Sequence, residues 1–193
     1  MLSILTNPAL EVTLARIDHD IAETTCTEGC PHCGGNLHSA RYPRKPRCVT
    51  ELSPESNWRL SFCCAAEGCR RRTTPPSVRF LGRRVYPGVL VVLVSTLARG
   101  LSATRCRRLK SIFGVDRRTL QRWQSWWREV FPTTMFWHEF RSRVLPLVDE
   151  TDLPSSLLRR FGPSSLQSVL QLLRSIRPLS VARSKWTRVS LRR

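Results

Sequence analysis

The chain has 193 residues, with 32 Lys and Arg against 14 Asp and Glu, a formal charge of +18 carried mostly by arginine. That length holds one ordinary domain or two small ones, and the charge is favourable only where a partner supplies phosphates, since a compact chain of this kind repels itself. The longest apolar run, Val89 to Val94, is far too short to cross a bilayer, and the opening residues lack a basic stretch followed by an apolar core. These features exclude the membrane-spanning and secreted classes and point to the cytoplasm, in bacteria with the nucleoid. Eight cysteines in a reducing compartment argue for metal ligands or buried thiols rather than disulfides.

Residues 1–25 form a mildly acidic lead with Glu11, Asp18, Asp20 and Glu23 against Arg16. Leu10, Val12, Leu14 and Ile17 suit a short strand or helix, no clear period decides between them, and a disordered or loosely docked lead is equally consistent.

A zinc ribbon is expected over residues 26–76. Cys30-Pro31-His32-Cys33-Gly34-Gly35 is the first knuckle: two thiolates three residues apart can face one ion while the glycines let the backbone turn beneath them. The second is Cys64 to Cys69, preceded by the strand-like run Trp58 to Phe62. Strand alternation sends Cys63 and Cys64 to opposite faces, so one of them is a ligand. Cys64 is preferred because its spacing to Cys69 makes a compact second knuckle, so Cys30, Cys33, Cys64 and Cys69 are expected to hold one structural zinc ion, with Cys63, Cys26 and His32 as competing ligands. A redox Cys-x-x-Cys would stand without a second cysteine pair. The basic run Arg41 to Arg47, with Tyr42 as a ring that stacks or packs, and Arg70, Arg71 and Arg72 after the second knuckle are expected to track a phosphate backbone. Such contacts position a protein without reading sequence. Cys48 has no partner at ligand spacing.

Residues 77–131 read as a helix-turn-helix DNA-binding domain. Ser77 to Tyr86 is a turn-rich joint whose Arg79, Arg83 and Arg84 continue the positive stripe. Pro87 can open a helix, Val89 to Leu97 can bury, and Gly100 can end it. Ser102 caps the next helix, in which Ala103, Cys106, Leu109, Ile112 and Phe113 face inward, while Arg105, Arg107, Arg108 and Lys110 point outward towards a DNA backbone. Cys106 is expected to be a small packed residue. After the Phe113-Gly114-Val115 turn, Asp116 is placed to cap a second helix. Its Leu120, Trp123, Trp126, Trp127, Val130 and Phe131 gather on one side, with Arg117, Arg118, Gln121, Arg122, Ser125 and Arg128 opposite. Such a helix can enter the major groove, where Arg and Gln suit guanine and adenine edges.

Residues 132–178 form a helical extension. Met135 to Phe140 starts a helix reaching Leu145, and its rings are placed to dock on Trp126 and Trp127. Asp149, Glu150 and Asp152 are expected to cap the helix beginning near Pro154 or Ser155; no separated carboxylate, histidine or lysine set accompanies them to make a nuclease centre. Two short helices follow, and Leu166, Val169, Leu170, Leu173 and Ile176 make a stripe suited to self-association or to packing on the core. Residues 179–193 are a basic tail.

The order of Cys-x-x-Cys, second cysteine knuckle and GVDRRTLQRWQSWW resembles the amino-terminal portion of transposases and transposon-associated DNA-binding proteins, in which a zinc ribbon precedes a helix-turn-helix. The resemblance covers roughly residues 26–131. It implies that Cys30, Cys33, Cys64 and Cys69 are the ribbon ligands and that Arg117, Arg118, Gln121, Arg122 and Ser125 are exposed on the recognition helix. In those transposases a nuclease domain of ribonuclease H type usually follows, and this chain is too short for one. The expected fold class is small α+β, a zinc ribbon followed by a mainly α-helical helix-turn-helix domain. The expected function is sequence-specific binding of double-stranded DNA, for a mobile genetic element or transcription regulation, without catalysis, and with a separate transposase or recombination protein as a partner. Such motifs dimerise on palindromic sites, which makes the tryptophan-rich and carboxy-terminal surfaces the places to expect a homodimer contact. The alternative is an RNA-binding adaptor whose tryptophans stack on unpaired bases.

Overall fold

A computed structural model describes residues 2–5, 7–44, 57–81, 87–97, 102–144, 148–163 and 165–181. Arg83, Arg84, Cys48, Gly100, Leu145, residues 45–47 of the run from Arg41 to Arg47 and most of the basic tail lie outside the described residues. The fold is α+β: mostly helical, with small antiparallel sheets near the amino terminus.

After a single turn, α1 (Leu2–Leu5), the lead is a long helix, α2 (Pro8–Glu28). Asn7 starts α2 by accepting a hydrogen bond from the Ala9 amide at 3.0 Å, and Pro8 takes the first position, where its missing N–H costs nothing. Leu10, Leu14, Ile17, Asp18 and Ala22 line its buried side, a helical spacing masked in the sequence by the aspartate within the stripe. The lead is neither a strand nor loosely docked, because Leu10, Leu14 and Ile17 enter the main core.

Five short strands follow: β1 (Leu37–Ser39), β2 (Tyr42–Pro43), β3 (Trp58–Arg59), β4 (Phe62–Cys64) and β5 (Arg72–Thr73). β4 is central in a β1-β4-β5 sheet, pairing Leu37 with Cys64 and Phe62 with Thr73, while β2 and β3 make a separate ribbon. The run from Trp58 to Phe62 is thus split between two sheets.

Three helices then surround a small core: α3 (Gly88–Leu97), α4 (Ala103–Phe113) and α5 (Arg117–Ser125). Leu90, Val91, Val94, Cys106, Leu109, Val115, Leu120 and Trp123 meet there. Cys106 is packed, as read from the sequence. Ala103 and Ile112, placed inward by the sequence, are exposed; Cys106, Leu109 and the half-buried Phe113 are the α4 side chains that pack on this core. Beyond Ser125 the chain makes a π turn, Trp126–Val130, in which the Phe131 amide reaches the Trp126 carbonyl. The extra residue shifts the helical face. Trp123 therefore serves the small core while Trp127 and Phe131 serve the main one, and Val130, expected inside, is 38% exposed.

The main core is completed by α6 (Met135–Val144), α7 (Ser155–Arg160) and α8 (Leu166–Ile176). Trp127, Phe131 and Trp137 are fully buried, and Phe131 lies 4.8 Å from Trp127 and 5.0 Å from Trp137 in tilted contacts. Val169, Leu170, Leu173 and Ile176 pack back on this core. Its members run from Leu10 to Leu179, so it crosses every division drawn from the sequence, and the boundary at residues 25 and 26 falls inside α2. Asp149 caps not α7 but the 3-10 turn Glu150–Asp152, through the Thr151 amide at 2.8 Å. Pro154 precedes α7 without a side-chain cap; Glu150 accepts from Trp137 Nε1 at 2.9 Å and Asp152 pairs with Arg159 at 2.8 Å. No helix among the described residues is long and apolar enough to cross a membrane.

Candidate metal centre and basic helix pair

Gly29 ends α2 with a left-handed φ of 79°, and the next residue is Cys30, so the helix delivers the first knuckle directly. Gly34, at φ 72°, donates its amide to the Cys30 carbonyl at 2.8 Å and closes the turn. A Cβ on Gly35 would stand 3.4 Å from the sulfurs of both Cys33 and Cys64, so the backbone passes close beneath them. The second knuckle opens at the end of β4, and the Cys69 and Arg70 amides both reach the Ala66 carbonyl, at 3.0 and 3.1 Å. Arg70 takes the left-handed conformation, φ 44°, rare for a residue with a Cβ.

The four sulfurs of Cys30, Cys33, Cys64 and Cys69 lie within 4.8 Å of one another. Cys30 and Cys69 are 3.8 Å apart, and Cys33 and Cys64 are 3.4 Å apart. Thiolates bound tetrahedrally at ~2.3 Å from an ion are themselves ~3.8 Å apart, so the cluster is compatible with one structural zinc ion. The hydrogen bonding fits as well. The His32 amide leads the influences that lower the Cys30 thiol to about 7. The Ala66 amide favours the Cys64 thiolate too, but burial and the neighbouring sulfurs outweigh it and push that thiol up to about 12. Backbone N–H groups aimed at sulfur suit thiolate ligands, and a cation supplies the charge that lets them all ionise.

The competing ligands fall elsewhere. Cys63 points to the opposite face of β4 and approaches the Arg70 carbonyl at 3.5 Å; Cys26 approaches the Leu37 carbonyl at 3.6 Å; His32 Nδ1 meets Arg71 at 3.2 Å. Arg70, Arg71 and Arg72 are exposed on this module. Arg72 and Arg44 both lie over the Tyr42 ring, at 5.5 and 5.3 Å, so Tyr42 packs between guanidiniums.

No protein-family model, curated protein or solved structure matches this chain.

Ser102 starts α4 by accepting from the Arg105 amide, and Gly114, at φ 63°, ends it by donating to the Lys110 carbonyl. Asp116 then opens α5 by accepting from the Thr119 amide at 2.6 Å. Thr119, Leu120 and Trp123 are buried, whereas Arg117, Arg118, Gln121, Arg122 and Ser125 are all exposed. Arg107 and Arg108 on α4 are exposed too. Arg122 Nη2 donates to Thr119 Oγ1 within the helix at 2.9 Å.

The Thr119 amide, then its hydroxyl, hold the Asp116 carboxyl below its ordinary value. A carboxyl depressed in the folded state stabilises above its unfolded value and loses that contribution as pH falls through the folded one. Asp116→Ala is expected to cost about 1 kcal/mol at neutral pH, the usual size of a lost N-cap. Urea denaturation of both proteins at pH 7 and at about pH 3 checks this: the gap between them should narrow in acid, and a gap independent of pH would contradict the cap.

The buried polar joint between α2 and residues 77–79 was missed by sequence reading. Asp18 is 2% exposed and accepts from Ser77 Oγ at 2.5 Å, the Val78 amide at 2.7 Å and Arg79 Nε at 2.8 Å. Arg79 Nη2 also reaches the Trp58 carbonyl at 3.0 Å, and Arg59 Nη2 the Pro75 carbonyl at 2.5 Å. Arg79, which the sequence places in the positive stripe, is a buried structural cation. The one sequence signal was the lone carboxylate on the apolar side of α2.

Proposed function

We propose that this chain is a zinc-stabilised, sequence-specific binder of double-stranded DNA, serving a mobile genetic element or transcriptional control without catalysis of its own. In this reading α4 and α5 form a helix-turn-helix, with α5 in the major groove. The supporting observation is the division of α5: its first turns bury Thr119, Leu120 and Trp123 and leave Arg117, Arg118, Gln121, Arg122 and Ser125 in solvent. Those side chains can form paired hydrogen bonds with purine edges, while Arg107, Arg108 and Arg70 to Arg72 meet phosphates. Arg83 and Arg84 belong to the same proposed footprint. The zinc ion would make the ribbon a closed structural module, since four protein sulfurs leave no open position for catalysis.

A homodimer on a palindromic site and recruitment of a separate transposase or recombination protein are parts of the same proposal, as is residence with the nucleoid. Burial of Trp123, Trp127 and Trp137 favours duplex reading over the RNA alternative, which needs rings free to stack on bases.

Genome-wide occupancy of the tagged protein, beside an Arg118→Ala, Arg122→Ala variant, tests the reading. Sharp peaks at element ends or a promoter are expected, lost in the variant, which should bind its site weaker by about 1–3 kcal/mol per lost base contact. Diffuse occupancy unchanged by the variant, or equal affinity for duplex DNA and structured RNA, would defeat it.

A further inference from the structure

Among the polar side chains on the exposed side of α5, Arg122 differs from its neighbours. Arg117, Arg118, Gln121 and Ser125 make no side-chain hydrogen bond or ion pair among the described residues, whereas Arg122 Nη2 donates to Thr119 Oγ1 at 2.9 Å. Thr119 is fixed in turn. It is 4% exposed, and its amide donates to Asp116 Oδ1 at 2.6 Å. The Thr119 amide, then its hydroxyl, and then the Arg122 charge hold the Asp116 carboxyl down. A chain of contacts thus runs from a carboxylate at the start of the helix, through a buried hydroxyl, to an exposed guanidinium.

The spacing explains why this chain closes. Thr119 and Arg122 are three residues apart, close to one helical turn, and helical side chains lean back towards the amino terminus. The bond to Thr119 therefore keeps the Arg122 guanidinium over the first turns of α5. That is the end of a recognition helix that meets base edges.

A held arginine suits one kind of contact more than another. Ordering a free arginine on binding costs rotamer entropy, and Arg122 has lost part of that freedom beforehand. Phosphate contacts carry no sequence information and need no such preparation. A base edge requires a set direction. Guanine presents two acceptors, N7 and O6, in the major groove, whereas adenine presents an acceptor and a donor. A guanidinium has five N–H donors and no acceptor. With one donor occupied by Thr119, the others can still meet guanine in a pair, and adenine would turn its own donor against them.

Resting on the helix-turn-helix reading of α4 and α5, we propose that Arg122 is the residue through which α5 selects a guanine. Thr119, anchored by Asp116, is its positioning residue.

Selection of sites from a random duplex pool by the full zinc-loaded chain, then competition binding of the selected site and its single-base variants, tests this. The selected site is expected to hold a guanine at which any other base weakens binding about tenfold or more. Arg122→Ala should remove the preference at that position and leave the other positions as they were. Thr119→Val keeps both the capping amide and the charge of α5. It should lower the guanine preference about fivefold, with affinity for random duplex and its salt dependence unchanged. Thr119→Ser, which restores the oxygen, should restore the preference. Arg107→Ala on α4 should instead weaken every sequence alike and reduce the salt slope by about 1. Melting of each variant shows that it is folded; Arg122 is exposed, so its variant decides the selection of guanine even if Thr119→Val does not fold. A selected site without such a guanine, or a preference that survives Arg122→Ala or folded Thr119→Val, would overturn the proposal and leave DNA reading by α5 standing. A pool in which no sequence is enriched would overturn the helix-turn-helix reading and this inference with it.

Discussion

Stripping the metal with a chelator, or replacing Cys64 by serine, is expected to unfold both knuckles and strands β1, β4 and β5 while leaving the helical cores intact. The cluster beneath the ribbon consists of Ala22, Cys30, Leu37, Phe62 and Cys64, so two of its five buried members are candidate ligands themselves. Burial of Leu37 and Phe62 contributes about 1.5–3 kcal/mol each, whereas ordering the backbone costs about 1–2 kcal/mol for every residue held. The short β1, β4 and β5 strands cannot offset that deficit. Structural zinc in small finger peptides contributes about 10–16 kcal/mol at neutral pH, which can. Neither the cluster around Trp127 and Leu172 nor the one around Leu120 contains a candidate ligand. Hydrogen exchange with and without chelator separates the two regions: β1 and β4 amides should lose protection, and those of α5 and α8 should keep it. Full protection of β4 in the metal-free protein would show that no metal is needed.

Asp18→Ala is expected to destabilise the folded chain by about 3–5 kcal/mol, the cost of leaving one charge of a buried pair alone. Arg79 would remain 9% exposed with its carboxylate gone, and the Ser77 hydroxyl and the Val78 amide would lose an acceptor as well. The second loss matters for the design of the test. Replacing both charges, as in Asp18→Leu with Arg79→Met, removes the stranded cation but not the orphaned Val78 amide, which costs about 1–3 kcal/mol by itself. The double variant should therefore recover part of the loss. Urea midpoints of the wild type, both single variants and the double variant give the coupling. Additive single effects would mean that Asp18 and Arg79 do not act as a pair.

These two sites differ in how visible they were before folding. The cysteine set was legible because ligand spacing is a local property: two residues between Cys30 and Cys33, with glycines after them, constrain the turn whatever the rest of the chain does. Choosing Cys64 over Cys63 was also local: a strand sends neighbours to opposite faces, so one of the two is a ligand, and the spacing of Cys64 to Cys69 makes a compact second knuckle. The Asp18 network was not legible, because Asp18 lies 59 residues or more from Ser77, Val78 and Arg79 along the chain and a single carboxylate carries no sign of what it will meet.

What the sequence by itself determined are the features that depend on near neighbours: both cysteine knuckles, the Gly114 stop and Asp116 start between α4 and α5, the basic outer side of α5, and the apolar stripe of α8. Only the tertiary structure decided that the acidic lead is a helix spanning ribbon and core, that a π turn hands Trp123 and Trp127 to different cores, and that Arg79 is buried rather than presented to solvent. The physical reason is that capping, turn and alternation preferences act over a few residues. Desolvation acts on whatever the whole fold brings together: it placed Asp18 beside Arg79, and it set which tryptophan faces which core.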